Sequence, residues 1–435
     1  MTVDQVAALG PAFTKFLGSF SDSFLTSNTF GHFATYCRGL LSDLPRKSVE
    51  PIALAAGCAV RTLQEFLTHH RWDYAQMRDE MQRRVARDHL PAPGTTTADG
   101  LGVIGMIDET SVAKKGDKTP GVQRQHCGAS GKQDNCIVTV HLAASCDTFR
   151  ALLDSDLYLP ESTWHEDRDR CKAAHIPDTV VYQAKWRLGV AQVKRALGNG
   201  IRLDWLTFDE DYGGKPQFLY DLDALGQLYI GEVPPNFRCW PTFPKYQSPQ
   251  APFVAKRVDN AGIWGKPFKG QPWQRFSLSR QTLGPQVWEV RSAQVWLQRP
   301  GNGTKVTCRP TDRTYWLIVA RNVETGEMKY FVSNAPPKTS LEKLLRVAFS
   351  RWGIEHVFRV AKSEVGFDHY EGRTYCGLMR HMTLCQLTIL FVAEQATQLR
   401  GKKSAVVGTD DGADRVRTEH DMSFVARTTT EMFAS

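Results

Sequence analysis

The sequence predicts a mixed α/β protein in which a helical region comes first and a β-rich segment interrupts the main sheet. Three observations support this fold class. Residues 1–90 show helical apolar spacing. Apolar strand-like runs alternate with helix-like runs in residues 101–233. Pro- and Trp-rich strand-like runs fill residues 234 to about 330, after which helical spacing returns, so we expect that segment to be an insertion.

Composition shifts along the chain predict its domain organisation. The predicted regions are a helical domain, the first part of an α/β core, an inserted β-rich basic domain, the C-terminal helices of the core and a polar, mobile tail. Their predicted bounds are 1–95, 96–233, 234–335, 336–400 and 401–435.

Within the helical region, the stretch "SVEPIALAAGCAVRTLQEFL" predicts two short helices separated by a break at Gly57. The second helix would bury Leu63 and Phe66. This spacing is typical of a helix-turn-helix, which contacts DNA through its second helix. A small helical bundle without any DNA contact shows the same spacing, so both interpretations stay open.

The α/β region predicts two strands that each end in an aspartate. The run Leu101–Ile107 predicts a buried strand ending at Asp108, followed by a hairpin around "GASGKQDN" and then a polar, loop-rich stretch. The run "TVVYQAKWRLGVAQVKRAL" predicts a helix, and "IRLDWLTF" predicts a strand ending at Asp209. "PQFLYDLDALG" and "QLYIGEV" then predict a short helix and a strand. A crossover helix between the aspartate strands would make them parallel neighbours.

Bulk composition indicates a cytoplasmic protein without a membrane partner. The longest apolar run, near "MTLCQLTILFVA", looks too short and too polar to span a bilayer. The N-terminus lacks the pattern of a secretory signal. Ten cysteines are spread singly with no CxxC pair, which argues against a zinc site of the usual spacing and suits a reducing compartment.

Positive charge is concentrated in one part of the chain. The net charge is 54 − 46 = +8, residues 1–99 are neutral, and residues 234–330 carry 15 − 5 = +10. A concentrated basic surface favours a polyanionic partner, because phosphate binding is driven by counterion release. A basic surface without a partner is the alternative.

Three carboxylates are candidates for a common site. Asp108 and Asp209 each follow an apolar strand, and a carboxylate at such a strand end lies at the rim of the sheet. A turn residue or a helix N-cap is the alternative for each of them. With Glu355 from a flanking helix they would form a cluster that needs a cation, and Mg²⁺ suits carboxylate ligands and substrate phosphates.

Glu355 belongs to a charged stripe on the predicted helix "RWGIEHVFRVAKSEVG", part of a longer helical run that begins near residue 340. Arg351, Glu355, Arg359 and Lys362 fall within about 40 degrees of one line, beside the apolar face. Ordinary helical ion pairs would explain such a stripe. A half-buried seam that faces a metal site and holds a phosphate backbone explains it as well.

At these residues the chain resembles the DDE transposases of bacterial insertion sequences, in the group with an RNase H-like core and an inserted β-domain. The matching pieces are "GMIDETSVAKKG", "LTFDEDYGG" with "LYIGEV", and "YFVSNAP" leading to "RWGIEHVFRVAKSEVGFDHYEGR". They lie within residues 30 to about 395. The resemblance implies an RNase H-like mixed sheet, an inserted β-rich domain and an N-terminal helical DNA-binding domain.

The resemblance also implies roles for individual residues. The three metal-binding acids of the family fall on Asp108, Asp209 and Glu355. Its Tyr-Arg-Glu-Lys signature matches at Arg351, Glu355 and Lys362. In such relatives the arginine and the lysine hold DNA near the cut, so Arg351 and Lys362, together with Arg359, are expected to bind DNA. The tyrosine position is occupied by Ala348, with Phe349 beside it, so the contact of that tyrosine is in doubt.

Nearby acids and tryptophans are alternatives to these assignments. Strand alternation would point Glu109 away from Asp108, and the D-x-x-Y-G pattern favours Asp209 over Asp211. Glu364 would face a different side of the helix from Glu355. In relatives that cut through a hairpin intermediate, one tryptophan of the inserted domain takes a flipped base, and most of the tryptophans here are expected to be core. The five in this region are Trp240, Trp264, Trp273, Trp288 and Trp296.

The implied function is metal-dependent DNA cleavage and strand transfer. The cofactor would be two Mg²⁺ ions, for which Mn²⁺ could substitute. The partners would be the terminal inverted repeats of the element and target double-stranded DNA, bound by a homodimer at the bacterial nucleoid. Two alternatives stay open: a catalytically silent relative that regulates through DNA binding, and a nuclease that cuts without joining.

Overall fold

A computed structural model of the protein describes residues 5, 7–92, 95–244, 255–259, 268, 270–280, 284–299, 309–404 and 425. The chain forms two compact units. The first comprises Met1–Ala92, Glu109–Arg202 and Ile354–Ser435, and the second comprises Pro93–Asp108 and Leu203–Gly353. These units run across the domain bounds expected from composition, which stay a prediction.

The first unit begins with the helices that the apolar spacing predicts. They are α1 (Leu9–Gly18), α2 (Ser27–Leu40), α3 (Val49–Ala55), α4 (Val60–Thr68) and α5 (Tyr74–Asp88). The side chain of Asp73 caps α5 by accepting the backbone N–H of Ala75 at 2.7 Å. The predicted break between α3 and α4 is confirmed, because Gly57 has a φ of 65°, a conformation that glycine adopts without strain.

Four strands and two further helices complete the α/β part of this unit. The strands are β1 (Ile104–Ala113), β2 (Gln123–Cys127), β3 (Lys132–Cys146) and β4 (Phe149–Leu157), and the helices are α6 (Arg168–Ala173) and α7 (Lys185–Gly198). A π-helical turn, Glu161–His165, precedes α6. β3 pairs antiparallel with both β2 and β4. The residues of β1 from Glu109 onward belong to the first unit and the earlier ones to the second.

Strand β4 lies where the sequence predicted a polar, loop-rich stretch, and that prediction was wrong. Its acidic residues obscured the strand because they are paired within the protein. Asp154 is fully buried and accepts a hydrogen bond from Arg195 Nε at 2.8 Å. A second guanidinium nitrogen of Arg195 contacts Asp156. A buried acid that is paired with an arginine is compatible with a core strand.

The last helix, α12 (Tyr375–Ser404), is the core helix of the first unit. It is longer than the apolar run in the sequence suggested. Among the described residues its Tyr375–Leu399 part is the one segment long and apolar enough to cross a membrane, and 94% of its most apolar window is buried inside the protein. Such burial is typical of a core helix rather than a lipid-facing one. Residues 405–424 and 426–435 of the predicted tail lie outside the described residues.

Arg380 of α12 closes the C-terminal end of α4. Its guanidinium donates to the carbonyl oxygens of Phe66 and Leu67 at 3.2 Å and of His70 at 2.7 Å, and it stacks on Trp72 at 4.5 Å. The last carbonyls of a helix lack partners within the helix. Arg380 therefore satisfies them and ties the predicted second helix of the helix-turn-helix to the core.

The second unit begins with a parallel strand pair. Residues 104–106 of β1 pair with β5 (Trp205–Thr207) in the register Ile104↔Trp205 to Met106↔Thr207. Two short helices follow β5: α8 (Glu210–Gly213) and α9 (Pro216–Ala224). The predicted parallel pairing of the two aspartate strands is confirmed.

An antiparallel sheet makes up the rest of the second unit. Its strands are β6 (Ile230–Val233), β7 (Arg238–Trp240), β8 (Lys256–Arg257), β9 (Gln274–Arg280), β10 (Gly284–Leu297), β11 (Tyr315–Asn322) and β12 (Met328–Ser333). The strand order is β6-β12-β11-β10-β7-β8, and β9 pairs with β10. The strand β6, expected in the α/β core, thus pairs with the β-rich region through β12. The strand runs predicted in residues 234–330 are confirmed where the structure describes them, and the chain is a mixed α/β protein. An inserted β-rich domain stays a prediction.

The helices predicted from residue 340 onward are present, but the helix predicted over residues 351–366 begins at Gly353, after a 3₁₀ turn that the sequence did not indicate. The chain forms α10 (Leu341–Phe349), a 3₁₀ turn (Ser350–Trp352) and α11 (Gly353–Val365). The hydroxyl of Ser350 donates to the carbonyl of Val347 at 2.7 Å, which competes with the regular helical hydrogen bond. Phe349 packs on Trp288 and Phe331, with ring centroids 5.0 and 5.7 Å apart, and holds the end of α10 on the sheet.

Two buried histidines make the stability of the first unit sensitive to acid. His381 is fully buried and bonded to the hydroxyl of Tyr36 at 2.9 Å. Burial lowers the pKa of His381 to about 4 and that of His141 to about 3. In the unfolded chain a histidine is protonated near its ordinary pKa of about 6.5, whereas in the folded protein these two stay neutral down to their lowered pKa values. Lowering the pH through the range between the two pKa values therefore favours the unfolded state.

We expect the free energy of unfolding to fall as the pH is lowered from 7 to 4. For His381 alone this loss is on the order of 3 kcal/mol. In the variant His381→Gln, the free energy of unfolding at pH 7 and at pH 4 should differ by about 3 kcal/mol less than in wild type, whatever the change in absolute stability. Urea denaturation followed by circular dichroism measures both values. An identical pH dependence in wild type and variant would contradict the assignment.

Candidate active site

The parallel pairing of β1 and β5 places Asp108 and Asp209 at matching positions. The last pair in register is Met106↔Thr207, and each aspartate lies two residues further along the chain, Asp108 within β1 and Asp209 just after β5. The backbone at Asp209 is still extended, with φ −86° and ψ −176°. Side chains two residues apart in a strand point to the same face, and neighbouring strands lie about 4.8 Å apart. Both carboxylates therefore belong to the same edge of the second unit.

Asp108 lies within β1 rather than at its end, because the strand continues to Ala113. This corrects the predicted strand end. The side chain is 12% exposed, and its Oδ2 atom accepts a hydrogen bond from Arg351 Nη1 at 2.8 Å. The side chain of Arg351 is 13% exposed. The pair is thus a largely buried ion pair within the second unit.

Asp209 is the N-cap of α8, the alternative that the sequence left open. Its Oδ1 atom accepts the backbone N–H groups of Asp211 at 3.0 Å and Tyr212 at 3.4 Å. A cap of this kind fixes the carboxylate relative to the strand end. The cap and a ligand role are compatible, because a carboxylate has two oxygens and about four acceptor positions.

The D-x-x-Y-G pattern has a local structural reason. Tyr212 is fully buried, and a Cβ atom at Gly213 would lie 1.9 Å from the carbonyl oxygen of Glu232. Only glycine allows this approach of α8 to β6. The Tyr-Gly pair therefore has a packing role, and Asp209 is the aspartate that begins the pattern.

The competing acids have other surroundings. Glu109 forms an ion pair with Lys185 at 2.6 Å within the first unit. Glu210 and Asp211 are exposed. Glu364 is buried and accepts a hydrogen bond from the hydroxyl of Ser363 at 3.0 Å. Alternation along β1 and rotation around α11 account for these differences, as expected from the sequence.

Two charged residues of α11 are more exposed than the half-buried stripe that the sequence predicted. Glu355, in the first turn of this helix, and Arg359 are both exposed. Arg359 bonds to His356 Nδ1 at 2.7 Å. Arg351 lies in the 3₁₀ turn rather than on this helix, so the four charges do not form one helical stripe. This part of the prediction was wrong because the break at Ser350–Trp352 was not foreseen.

Lys362 is the partly buried cation of α11. Its Nζ atom donates to Thr110 Oγ1 at 2.7 Å and to the carbonyl of Ser111 at 3.3 Å. Burial lowers the pKa of Lys362. The lysine is therefore anchored at the C-terminal part of β1, two to three residues after Asp108. Spacing along the sequence contained no signal for these partners.

The donor chemistry of Asp108 and Asp209 fits a hard divalent cation, because carboxylate oxygens on adjacent strands are suitable ligands for Mg²⁺. Both aspartates belong to the second unit and Glu355 to the first. Among the residues that the structure describes, no group of three or more His, Cys, Asp or Glu side chains is arranged so that it could hold a metal ion. The convergence of all three acids stays a prediction.

The tryptophans of the second unit are partly core residues. Trp240 and Trp288 are buried. Trp273 has the guanidinium groups of Arg291 and Arg321 at 4.4 and 4.8 Å from its ring centroid. Trp296 is partly exposed, and Trp264 lies outside the described residues.

The capping role of Asp209 can be separated from any other role by two substitutions. Asp209→Asn keeps an oxygen that accepts the N–H groups of α8, so the free energy of unfolding should change by only a few tenths of a kcal/mol. Asp209→Ala removes the acceptor and should cost about 1 kcal/mol. Urea denaturation of the two variants provides the comparison. Equal losses in both would mean that the cap contributes nothing.

Comparison with known proteins assigns the family. The family model described as DDE superfamily endonuclease matches residues 19–285, more than half of the chain. This match includes Asp108 and Asp209 and ends before Glu355.

A curated relative points in the same direction. The probable transposase for insertion sequence element IS701 from Microchaete diplosiphon is 31% identical over 203 residues, which are 46% of this chain and 47% of the relative. The match thus spans about half the length of each protein. On the family match, the chain belongs to the DDE superfamily of endonucleases.

Proposed function

We propose that this protein is a DNA transposase that uses divalent metal ions to cut the ends of its element and join them to target DNA. The observation that carries the proposal is the matched position of Asp108 and Asp209 on adjacent parallel strands of a DDE-family chain. The similarity to a probable insertion sequence transposase supports transposition as the biological process.

Asp108, Asp209 and Glu355 are proposed to hold two Mg²⁺ ions, for which Mn²⁺ could substitute. The assignment of Glu355 as the third ligand is supported by its match to the motif of the family and by its exposed position in the first turn of α11. Bound there, such ions would supply activation of water and neutralisation of charge on the scissile phosphate. The protein contributes strand β1, which carries Asp108, and the cap of α8, which holds Asp209, so both acids are positioned before any ligand arrives.

The reaction proposed is two successive in-line displacements at phosphorus. Water attacks a phosphodiester at the element end and releases a 3′-hydroxyl, and this hydroxyl then attacks a phosphodiester of the target. No covalent enzyme intermediate forms. Arg351, Arg359 and Lys362 are proposed to hold the phosphate backbone, and the anchoring of Lys362 on Thr110 would keep its charge in place.

The partner proposed is double-stranded DNA, as terminal inverted repeats and as target. The net charge of +10 in residues 234–330 supports a polyanionic partner for that region. The paired helices α3 and α4, held by Arg380, support a helical DNA-binding domain within residues 1–95. An RNase H-like core in residues 96–233 and 336–400, a β-rich insertion in residues 234–335 and a homodimer at the bacterial nucleoid complete the proposal.

Replacing any one acid by its amide should abolish cleavage. Asp108→Asn, Asp209→Asn and Glu355→Gln each remove a ligand charge, and we expect strand cleavage to fall by about a thousandfold or more. The measurement is a denaturing gel with labelled element-end DNA and Mg²⁺. Asp211→Asn is the matched control, because this exposed acid lies two residues from Asp209, and it should retain activity.

The same gel distinguishes the other candidate functions. Nicked and joined products support the transposase. Nicks without joining would mean a nuclease, and a mobility shift without cleavage would mean a DNA-binding regulator. Loss of cleavage in Asp211→Asn but not in Asp209→Asn would overturn the assignment of the second acid.

A further inference from the structure

The ion pair between Arg351 and Asp108 has a consequence for metal binding. The guanidinium donates to Oδ2 of the first proposed ligand at 2.8 Å, and both side chains are largely buried. A largely buried carboxylate needs a compensating charge, and Arg351 supplies it within the second unit. Hydrogen bonds between ionised groups are strong, so a ligand for the same oxygen must replace this one.

The backbone that carries Arg351 is held in place by aromatic packing and a side-chain hydrogen bond. Phe349 is packed between Trp288 and Phe331, and the Ser350 hydroxyl bonds to the carbonyl of Val347. Trp352 packs edge-on against Phe349 at 5.9 Å. The turn is therefore held on the sheet, so that displacement of the ion pair would involve rotation of the arginine side chain and not movement of the turn.

A divalent ion and a guanidinium are competitors for one carboxylate. Both are cations that bind the same oxygens, and two positive charges held close together in a poorly screened site repel each other. A neutral group bonded to a metal ligand usually strengthens metal binding by orienting the ligand. A cation in that position opposes metal binding instead.

We propose that Arg351 is an internal counterion of Asp108, which an incoming divalent ion displaces and which then becomes available to a DNA phosphate. Arg351 is a positioning residue in this account, because it acts through Asp108 in the state without metal. The inference rests on the proposed function, since it requires Asp108 to be a metal ligand. It adds an order of events: metal entry precedes phosphate contact by Arg351.

The test is the affinity of the full chain for Mn²⁺ without DNA, measured from the electron paramagnetic resonance signal of the unbound ion. We expect Arg351→Gln to bind Mn²⁺ at least about tenfold more tightly than wild type, because a cation is removed from the site. Arg351→Lys keeps the charge and should stay close to wild type. Arg275→Gln removes an equal charge from an exposed arginine of β9 that pairs with Glu289, and it should leave the affinity unchanged.

The outcomes separate the inference from the function on which it rests. Equal or weaker Mn²⁺ binding by Arg351→Gln would overturn the inference, while loss of binding in Asp108→Asn would still support the metal site. No Mn²⁺ binding by wild type and Arg351→Gln alike would overturn both. If Arg351→Gln is unstable without metal, Mn²⁺ should raise its melting temperature more than that of wild type, and an equal or smaller rise would count against the inference.

Discussion

The parallel pairing of β1 with β5 is the constraint on which the candidate site depends. It brings together residues about a hundred positions apart and aligns Asp108 with Asp209 two residues beyond the last pair in register. A shift by one residue would turn one carboxylate to the opposite face of the sheet, because side chains alternate along a strand. The close contact of Gly213 with Glu232 contributes to this arrangement, since it determines how the chain leaves β5.

The two aspartates are held by different means, and the difference matters chemically. Asp209 is oriented by backbone N–H groups at the start of α8, which stay in place whether or not a cation is bound. Asp108 is bonded to a guanidinium that carries a full charge. The carboxylate of Asp209 is therefore held in a fixed orientation, and the charge of Asp108 is balanced by Arg351. Both effects reduce the repulsion between the two acids before any metal binds.

Much of the fold followed from periodicity, and the errors have physical causes. The helices of the first unit, the break at Gly57 and the parallel aspartate strands were predicted because their apolar patterns are regular. Strand β4 was missed because Asp154 and Asp156 look like loop residues until Arg195 is known to pair with them. The break at Ser350–Trp352 was missed because the packing of Phe349 on Trp288 overrides local helix propensity. The contact of Arg351 with Asp108 spans 243 residues, so no local pattern encodes it.

A crystal structure with Mn²⁺, located by its anomalous scattering, tests the central claim most directly. The account predicts an ion bound by one oxygen from Asp108 and one from Asp209, with the guanidinium of Arg351 moved away from Oδ2. Mn²⁺ bound elsewhere, or these two carboxylates pointing to opposite faces of the sheet, would contradict it.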